Sequence, residues 1–178
     1  MSLEVTPAVA ADLLELADVA ARTFPLACPP EAGADDVAAF IAENLSPARF
    51  GDYLADPDRV VLVARDGRRI SGYAMLIRGV VDDDDVRKAV SARPAIELSK
   101  MYVLQEAHGA GVSAALMTAA LDASRALGAA CVWLGVNQEN QRAQRFYAKH
   151  GFQVSGTKTF RLGGRVEDDY VMVNPLAN

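Results

Sequence analysis

The sequence has few of the residues that build disulfide and metal sites. Its 178 residues include two cysteines and two histidines. Cys28 and Cys131 lie far apart and form no Cys-x-x-Cys, so they read as reduced thiols rather than a disulfide framework. The two histidines and two cysteines show no ligand spacing, and no metal is expected. Positive charge is also short: 18 Lys and Arg against 23 Asp and Glu leave a formal charge of −5. Nucleic acids and anionic membranes select a basic face, so neither partner is expected. Long apolar runs are missing. Ala126 to Val136, the longest uncharged apolar stretch, is 11 residues and includes two glycines, too short to cross a bilayer. The start, Met1-Ser2-Leu3-Glu4, has neither the basic nor the apolar region of a signal peptide. A cytoplasmic location is expected.

What remains is an ordinary globular composition, 51% hydrophobic and 23% charged. The length fits one domain over residues 1–178. Leu3 to Thr6 reads as a strand. Val9, Leu13, Leu16, Ala17, Ala20 and Phe24 recur at helical spacing, with Pro25 as the stop. Asp35 and Asp36 open a second helix, and Pro47 to Leu54 forms a short third piece. Arg59 to Arg65 and Ile70 to Val81 pair as a hairpin about Asp66-Gly67. Asp82 to Asp85 is expected as an exposed loop. Ile96 to Leu104 is a strand, Gly109 to Leu127 a helix with Gly128 past its end, and Ala130 to Val136 a strand covered on both faces. Asn140 to His150 is a helix, with His150 at its C-terminal end. Phe152 to Leu162 and Val166 to Val173 close the chain as a hairpin about Gly163-Gly164. Hairpins around one strand–helix–strand crossover give an α/β (α+β) fold with a mixed, twisted sheet of about seven strands and about four flanking helices.

The most informative turn is Val103-Leu104-Gln105-Glu106-Ala107-His108-Gly109-Ala110-Gly111-Val112-Ser113-Ala114. A strand ends, a glycine turn follows and a helix starts. The free N–H groups and positive dipole end of such a helix bind anions. Gly109 and Gly111 let the backbone approach a phosphate. Gly109-x-Gly111-x-x-Ala114 also fits the dinucleotide fingerprint, but that motif normally opens a doubly wound sheet. An NAD-dependent oxidoreductase and an ordinary strand–helix turn stay open at this point.

The next unit narrows the choice. Asn140-Gln141-Arg142-Ala143-Gln144-Arg145-Phe146-Tyr147-Ala148-Lys149-His150-Gly151-Phe152 follows the buried strand. With the glycine turn, it resembles the GNAT N-acetyltransferase superfamily, whose signature is R/Q-x-x-G-x-G/A and then N-x-x-A-x-x-F-Y-x-x-x-G-F. His108 stands where Arg or Gln is usual, and Ser113 where Gly or Ala is usual. The resemblance implies the GNAT acyl-CoA N-acyltransferase fold and acetyl transfer from acetyl-CoA to a primary amine. It implies that the pantetheine arm runs along Met101, Tyr102 and Val103. The pyrophosphate would lie on the turn His108, Gly109, Ala110, Gly111, Val112, Ser113 and Ala114, with Asn140 contacting the arm. Tyr147 matches the acid that protonates the departing thiolate, and also contacts the co-substrate. Glu97, the one acid in its strand, matches the general base some members use. A rim carboxylate that binds the substrate cation is the alternative for Glu97, and core packing for Tyr147.

The segment from Glu97 to Leu104, the Trp133-Leu134-Gly135-Val136 strand, and Gly156 with Phe160 resemble a bacterial branch holding polyamine (spermidine/spermine) N-acetyltransferases of the PaiA type. A small-molecule amine is therefore the expected acceptor. A protein N-terminus or lysine, and a non-catalytic acyl-CoA-binding sensor, are the alternatives. A homodimer through the closing strands is a further implication. Cys28 beside Pro29-Pro30 is placed near the substrate mouth.

Overall fold

The computed structural model describes residues 2–176; Met1, Ala177 and Asn178, at the two ends of the expected 1–178 domain, lie outside the described residues. The order is β1 (Leu3–Pro7), α1 (Leu13–Ala27), α2 (Ala34–Asn44), α3 (Pro47–Ala55), β2 (Arg59–Asp66), β3 (Arg69–Arg78), α4 (Asp84–Ala89), β4 (Ala95–Val103), α5 (Val112–Ala126), β5 (Cys131–Asn137), α6 (Gln141–Lys149), β6 (Gln153–Leu162) and β7 (Arg165–Pro175). The seven strands form one sheet ordered β1-β2-β3-β4-β5-β7-β6. Only β4 and β5 pair in parallel, joined by α5, and the other neighbours are antiparallel.

Alternation along the strands separates the two faces. Leu62, Ala64, Ala74, Leu76 and Leu98 point to one face, where Val112, Leu116, Met117 and Ala120 of α5 cover them. Val61, Val63, Tyr73 and Met75 point to the other, under Leu16, Ala20 and Phe24 of α1 and Phe50 and Tyr53 of α3. A third patch, Val86 and Ala89 of α4 on Cys131, Trp133 and Val171, closes the base of the β4–β5 pair. Trp133 is fully buried, and its indole N–H donates to the Gly79 carbonyl at 3.0 Å. Burying one large apolar side chain contributes roughly 1.5–3 kcal/mol, so these layers carry most of the stability.

The described residues hold six α-helices rather than about four. The acidic run Asp82–Asp85 is not a loop throughout: it starts α4. The Asp83 Oδ1 accepts the N–H groups of Asp85 (2.9 Å) and Val86 (3.1 Å), and Asp82 and Asp84 both pair with Arg87. An aspartate cap and acids in the first turn are helix-starting signals. Pro25 does not stop α1, which continues to Ala27. Proline lacks the N–H that would return to Ala21, but so near the helix end little of the ladder is lost. The helix of the glycine turn begins at Val112, after a short 3-10 turn at Gln105–Ala107 that periodicity did not reveal.

Gly72 sits where β3, β4 and α5 approach most closely. A Cβ there would lie 2.9 Å from the Tyr102 carbonyl oxygen and 3.1 Å from Leu116 Cδ1. Gly72→Ala should therefore lower the urea midpoint, with a loss of about 1–3 kcal/mol and an unchanged m-value. Equilibrium urea unfolding checks this, and an unchanged midpoint would show that the crossing is slack.

Candidate active site

The parallel strands pair only through Ala95–Glu97 and Cys131–Trp133. Beyond Glu97 they part, and a cleft of about 470 Å3 opens between them. One wall is β4 from Glu97 to Val103. The other is Gly135–Asn137 of β5 with Asn140, Ala143, Phe146 and Tyr147 of α6. Phe24 of α1, Cys28 just past its end, and Lys158, Phe160 and Asp169 of the closing hairpin complete it.

A bulge sets which β4 side chains face which half. Met75 pairs with Lys100 and Leu76 with Leu98, so Ser99 is the extra residue. Ile96, Leu98 and Val103 join the core under α5, and Met101 packs against it. Tyr102 packs on the opposite, α1 side. By alternation across the bulge, Glu97 and Lys100 share that side with Tyr102. Cys28 does reach the cleft mouth.

The glycine turn has the geometry of an anion cradle. Gly109 and Gly111 adopt φ of +84° and +80°, and a Cβ on either would meet nothing within 4 Å. Gly109 and Ser113 line the cleft with His108. The His108 Nε2 lies 3.1 Å from the Val103 carbonyl, so its ring ties the turn back to β4. Ala110, Gly111, Val112 and Ala114 are not on the cleft wall. Val112 is a core residue at 3% exposure, so only its backbone can face a ligand. Asn140 caps α6, its Oδ1 accepting the Ala143 N–H at 3.1 Å, which leaves its Nδ2 for the cleft. Among the described residues, no three His, Cys, Asp or Glu side chains are grouped to hold a metal ion, and no helix is long and apolar enough to cross a membrane.

Burial governs the electrostatics. It raises the Glu97 pKa above the usual carboxylate range, against the opposing pull of Lys158, Lys100 and Arg59. It lowers the Lys100 pKa, opposed by Glu97 and assisted by Arg59. It pushes the Tyr147 hydroxyl up to about 12 and the Cys28 thiol up to about 11, the latter helped by Glu167. Tyr102 is raised as well, by burial and then by Tyr147, Cys28 and Asp169. Lys158 and Asp169 form an ion pair at 3.3 Å. They lie over Gly135, where a Cβ would strike the Lys158 chain.

Sequence reasoning missed Lys100, Lys158, Asp169 and Gly135. One signal was available. Folding the last hairpin about Gly163-Gly164 places Lys158 opposite Asp169 by counting, which is the register observed. Gln144 was also missed: its Nε2 donates to the carbonyls of Asn137 (3.1 Å) and Gln138 (2.9 Å), fixing the loop into α6.

An edge of β4 freed from its parallel neighbour can take an extended amide chain as an added strand. The adjoining turn offers open N–H groups to a phosphate. Together they fit the pantetheine and pyrophosphate of coenzyme A and define an acyl-CoA-dependent transferase. The chain belongs to the GNAT acetyltransferase family: the model of the Acetyltransferase (GNAT) family matches residues 17–152. An uncharacterized N-acetyltransferase of Mycobacterium tuberculosis is 58% identical over 165 residues, covering 93% of this chain and 98% of that protein. The crystal structure of the PaiA N-acetyltransferase of Thermoplasma acidophilum with coenzyme A has a TM-score of 0.78 at 19% identity, covering 99% of this chain and 100% of that one. A ribosomal-protein-alanine N-acetyltransferase of Brucella melitensis has a TM-score of 0.64 at 22% identity, covering 97% and 99%. The protein is an acetyl-CoA-dependent N-acetyltransferase, with acetyl-CoA as its co-substrate.

Gly111→Glu places a charged side chain at a left-handed turn position beside the cradle. Calorimetric titration should find acetyl-CoA binding to the wild type and its loss in the variant, without unfolding. Retained affinity would remove the turn from co-substrate binding.

Proposed function

We propose that the enzyme transfers acetyl directly to the primary amine of a small molecule, with Glu97 as general base and Tyr147 as general acid. The observation that carries this reading is that Glu97 at the apex of the fork and Tyr147 on α6 line one cleft from opposite walls. Acetyl-CoA supplies an acyl thioester with a thiolate leaving group. Met101–Val103 would hold the pantetheine arm through backbone groups. Gly109, Ser113 and the first-turn amides of α5 would hold the pyrophosphate.

Glu97 would take the proton from the amine nitrogen, directly or through one water. Tyr147 would hold its proton at Oη and pass it to the coenzyme A sulfur. A phenol near 12 would be a poor acid toward a thiolate in water, where thiols titrate near 8.5. Within the cleft the comparison changes, because the burial that raises the phenol also disfavours the thiolate ion and raises the proton affinity of the departing sulfur. The two proton affinities then move in the same direction, which suits proton transfer. Both cysteines are free thiols and the co-substrate is an intracellular metabolite, which supports a cytoplasmic enzyme.

The PaiA likeness puts polyamines such as spermidine on the acceptor panel. A peptide amine is the second reading. It is favoured by an apolar groove lined by Pro25, Ala34, Val37 and Ile41, which continues from the cleft through Cys28 and Pro29.

Because the Glu97 pKa is raised, the acidic limb of kcat/KM should inflect above the ordinary carboxylate value of 4.5. Below that inflection Glu97 is protonated and cannot accept a proton. Glu97→Gln should flatten the limb, and an unaltered limb assigns the base elsewhere. Tyr147→Phe should lower kcat by about 10²–10⁴-fold with little change in acetyl-CoA affinity. Unchanged kcat would remove Tyr147 from the chemistry.

A further inference from the structure

The acceptor half of the cleft is charged in both signs, and most of its charges are already satisfied. Asp169 is held by Lys158 at 3.3 Å. Glu167 is held by Arg165 at 3.0 Å. Arg59, which does not line the cleft but whose charge bears on Glu97 and Lys100, is held by Asp56 at 3.0 Å and stacks over the Tyr53 ring, 4.8 Å from its centroid. Two charges stay open. Among the described residues, Lys100 has no carboxylate within 4.0 Å, and neither has Glu97 a cation within that distance. Both are half-buried and both line the cleft.

Their separation has a structural cause. Glu97 and Lys100 are successive positions on one face of β4, divided by Leu98 and the bulged Ser99. Two strand steps set the backbones of same-face neighbours roughly 6.6 Å apart, and the two side chains do not close on each other within 4.0 Å. A half-buried cation beside a half-buried anion, with neither closed on the other, costs desolvation without the full Coulomb return. A molecule that carries an ammonium and an anion a few ångströms apart would close both. A polycation would not. It would find one open carboxylate, Glu97, and one open ammonium group, Lys100, facing it.

We propose that Lys100 is an anion receptor and that the acceptor is a zwitterionic amine of the α-amino-acid type, its amine toward Glu97 and its carboxylate on Lys100. This rests on the reading of the cleft as the site of acetyl transfer and names the substrate class for it. The apolar lining from Phe24 and Phe160 beside these charges gives an uncharged side chain a place to pack.

The test uses the full chain, saturating acetyl-CoA and three acceptors: a mixture of the common amino acids, the matching mixture of their carboxamides, and spermidine. Thiol release gives the rate and mass spectrometry the acetylated product. The free acids should be preferred over the amides by at least about tenfold in kcat/KM, and Lys100→Met should collapse that ratio. Lys100→Arg should restore it, which separates loss of the cation from loss of the fold. Preference for amides or spermidine, or a ratio untouched by Lys100→Met, overturns the proposal and leaves acetyl transfer standing. Silence with every amine, while acetyl-CoA still binds by calorimetry, overturns the transfer reading and this one with it.

Discussion

Strands β4 and β5 hydrogen-bond as parallel neighbours for three residues each and then separate. Separated strands leave backbone donors and acceptors bare, which a buried sheet cannot tolerate without a partner. The chain sustains the gap by fixing both sides of it. Below the apex, Trp133 fills the patch under α4 and anchors itself to the Gly79 carbonyl. On one flank, the β-bulge at Ser99 re-aims β4 just past the fork. On the other, Gln144 clasps the carbonyls that follow β5 and orients α6. Tyr147 reaches the cleft because that helix is held there. The unpaired edge is thus maintained by the core around it.

The same enclosure explains the electrostatics. A low-dielectric cleft penalises every ion in it, so the neutral form gains even where an opposite charge tempers the shift. Glu97 and Asp169 rise, Lys100 falls, and Tyr102, Tyr147 and Cys28 rise. These shifts share a cause, yet they act on different steps. A carboxylate raised toward neutrality is a better base near working pH, and a buried phenol keeps its proton until a comparably desolvated anion forms beside it. Lys158 tempers the rise at Glu97 and at Asp169 together. The single ion pair over Gly135 therefore bears on both ends of the acceptor side.

Much of this was legible in the residues, for reasons that differ by element. Seven strands, the hairpins about Asp66-Gly67 and Gly163-Gly164, and the glycine turn into α5 are written in local patterns of period two, turn pairs and glycine placement. The helix α4 was hidden because an acidic run reads as solvated loop unless its capping geometry is considered. Pro25 misled because a proline in the last turn of a helix costs little. Motif and spacing single out Glu97, Tyr147 and the turn as candidates, and Glu97, Tyr147, His108, Gly109 and Ser113 line the cleft. They do not single out Lys100, since its importance depends on which other charges are already paired. That is a property of the tertiary structure.

The two halves of the cleft also differ in what they are made of. The half we assign to coenzyme A is largely backbone: the free edge of Met101–Val103, the amides of the turn, and glycines whose value is the side chain they lack. Such a site survives many substitutions, which is why a short motif identifies it at low overall identity. The half we assign to the acceptor is side chain throughout, with Glu97, Lys100, Lys158 and Asp169 set on four strand positions and Phe24 and Phe160 beside them. A fold shared with a structure at 19% identity therefore does not carry the acceptor with it. The acceptor must be read from the charges this chain places on its own β4, β6 and β7, and from which of them the fold leaves open.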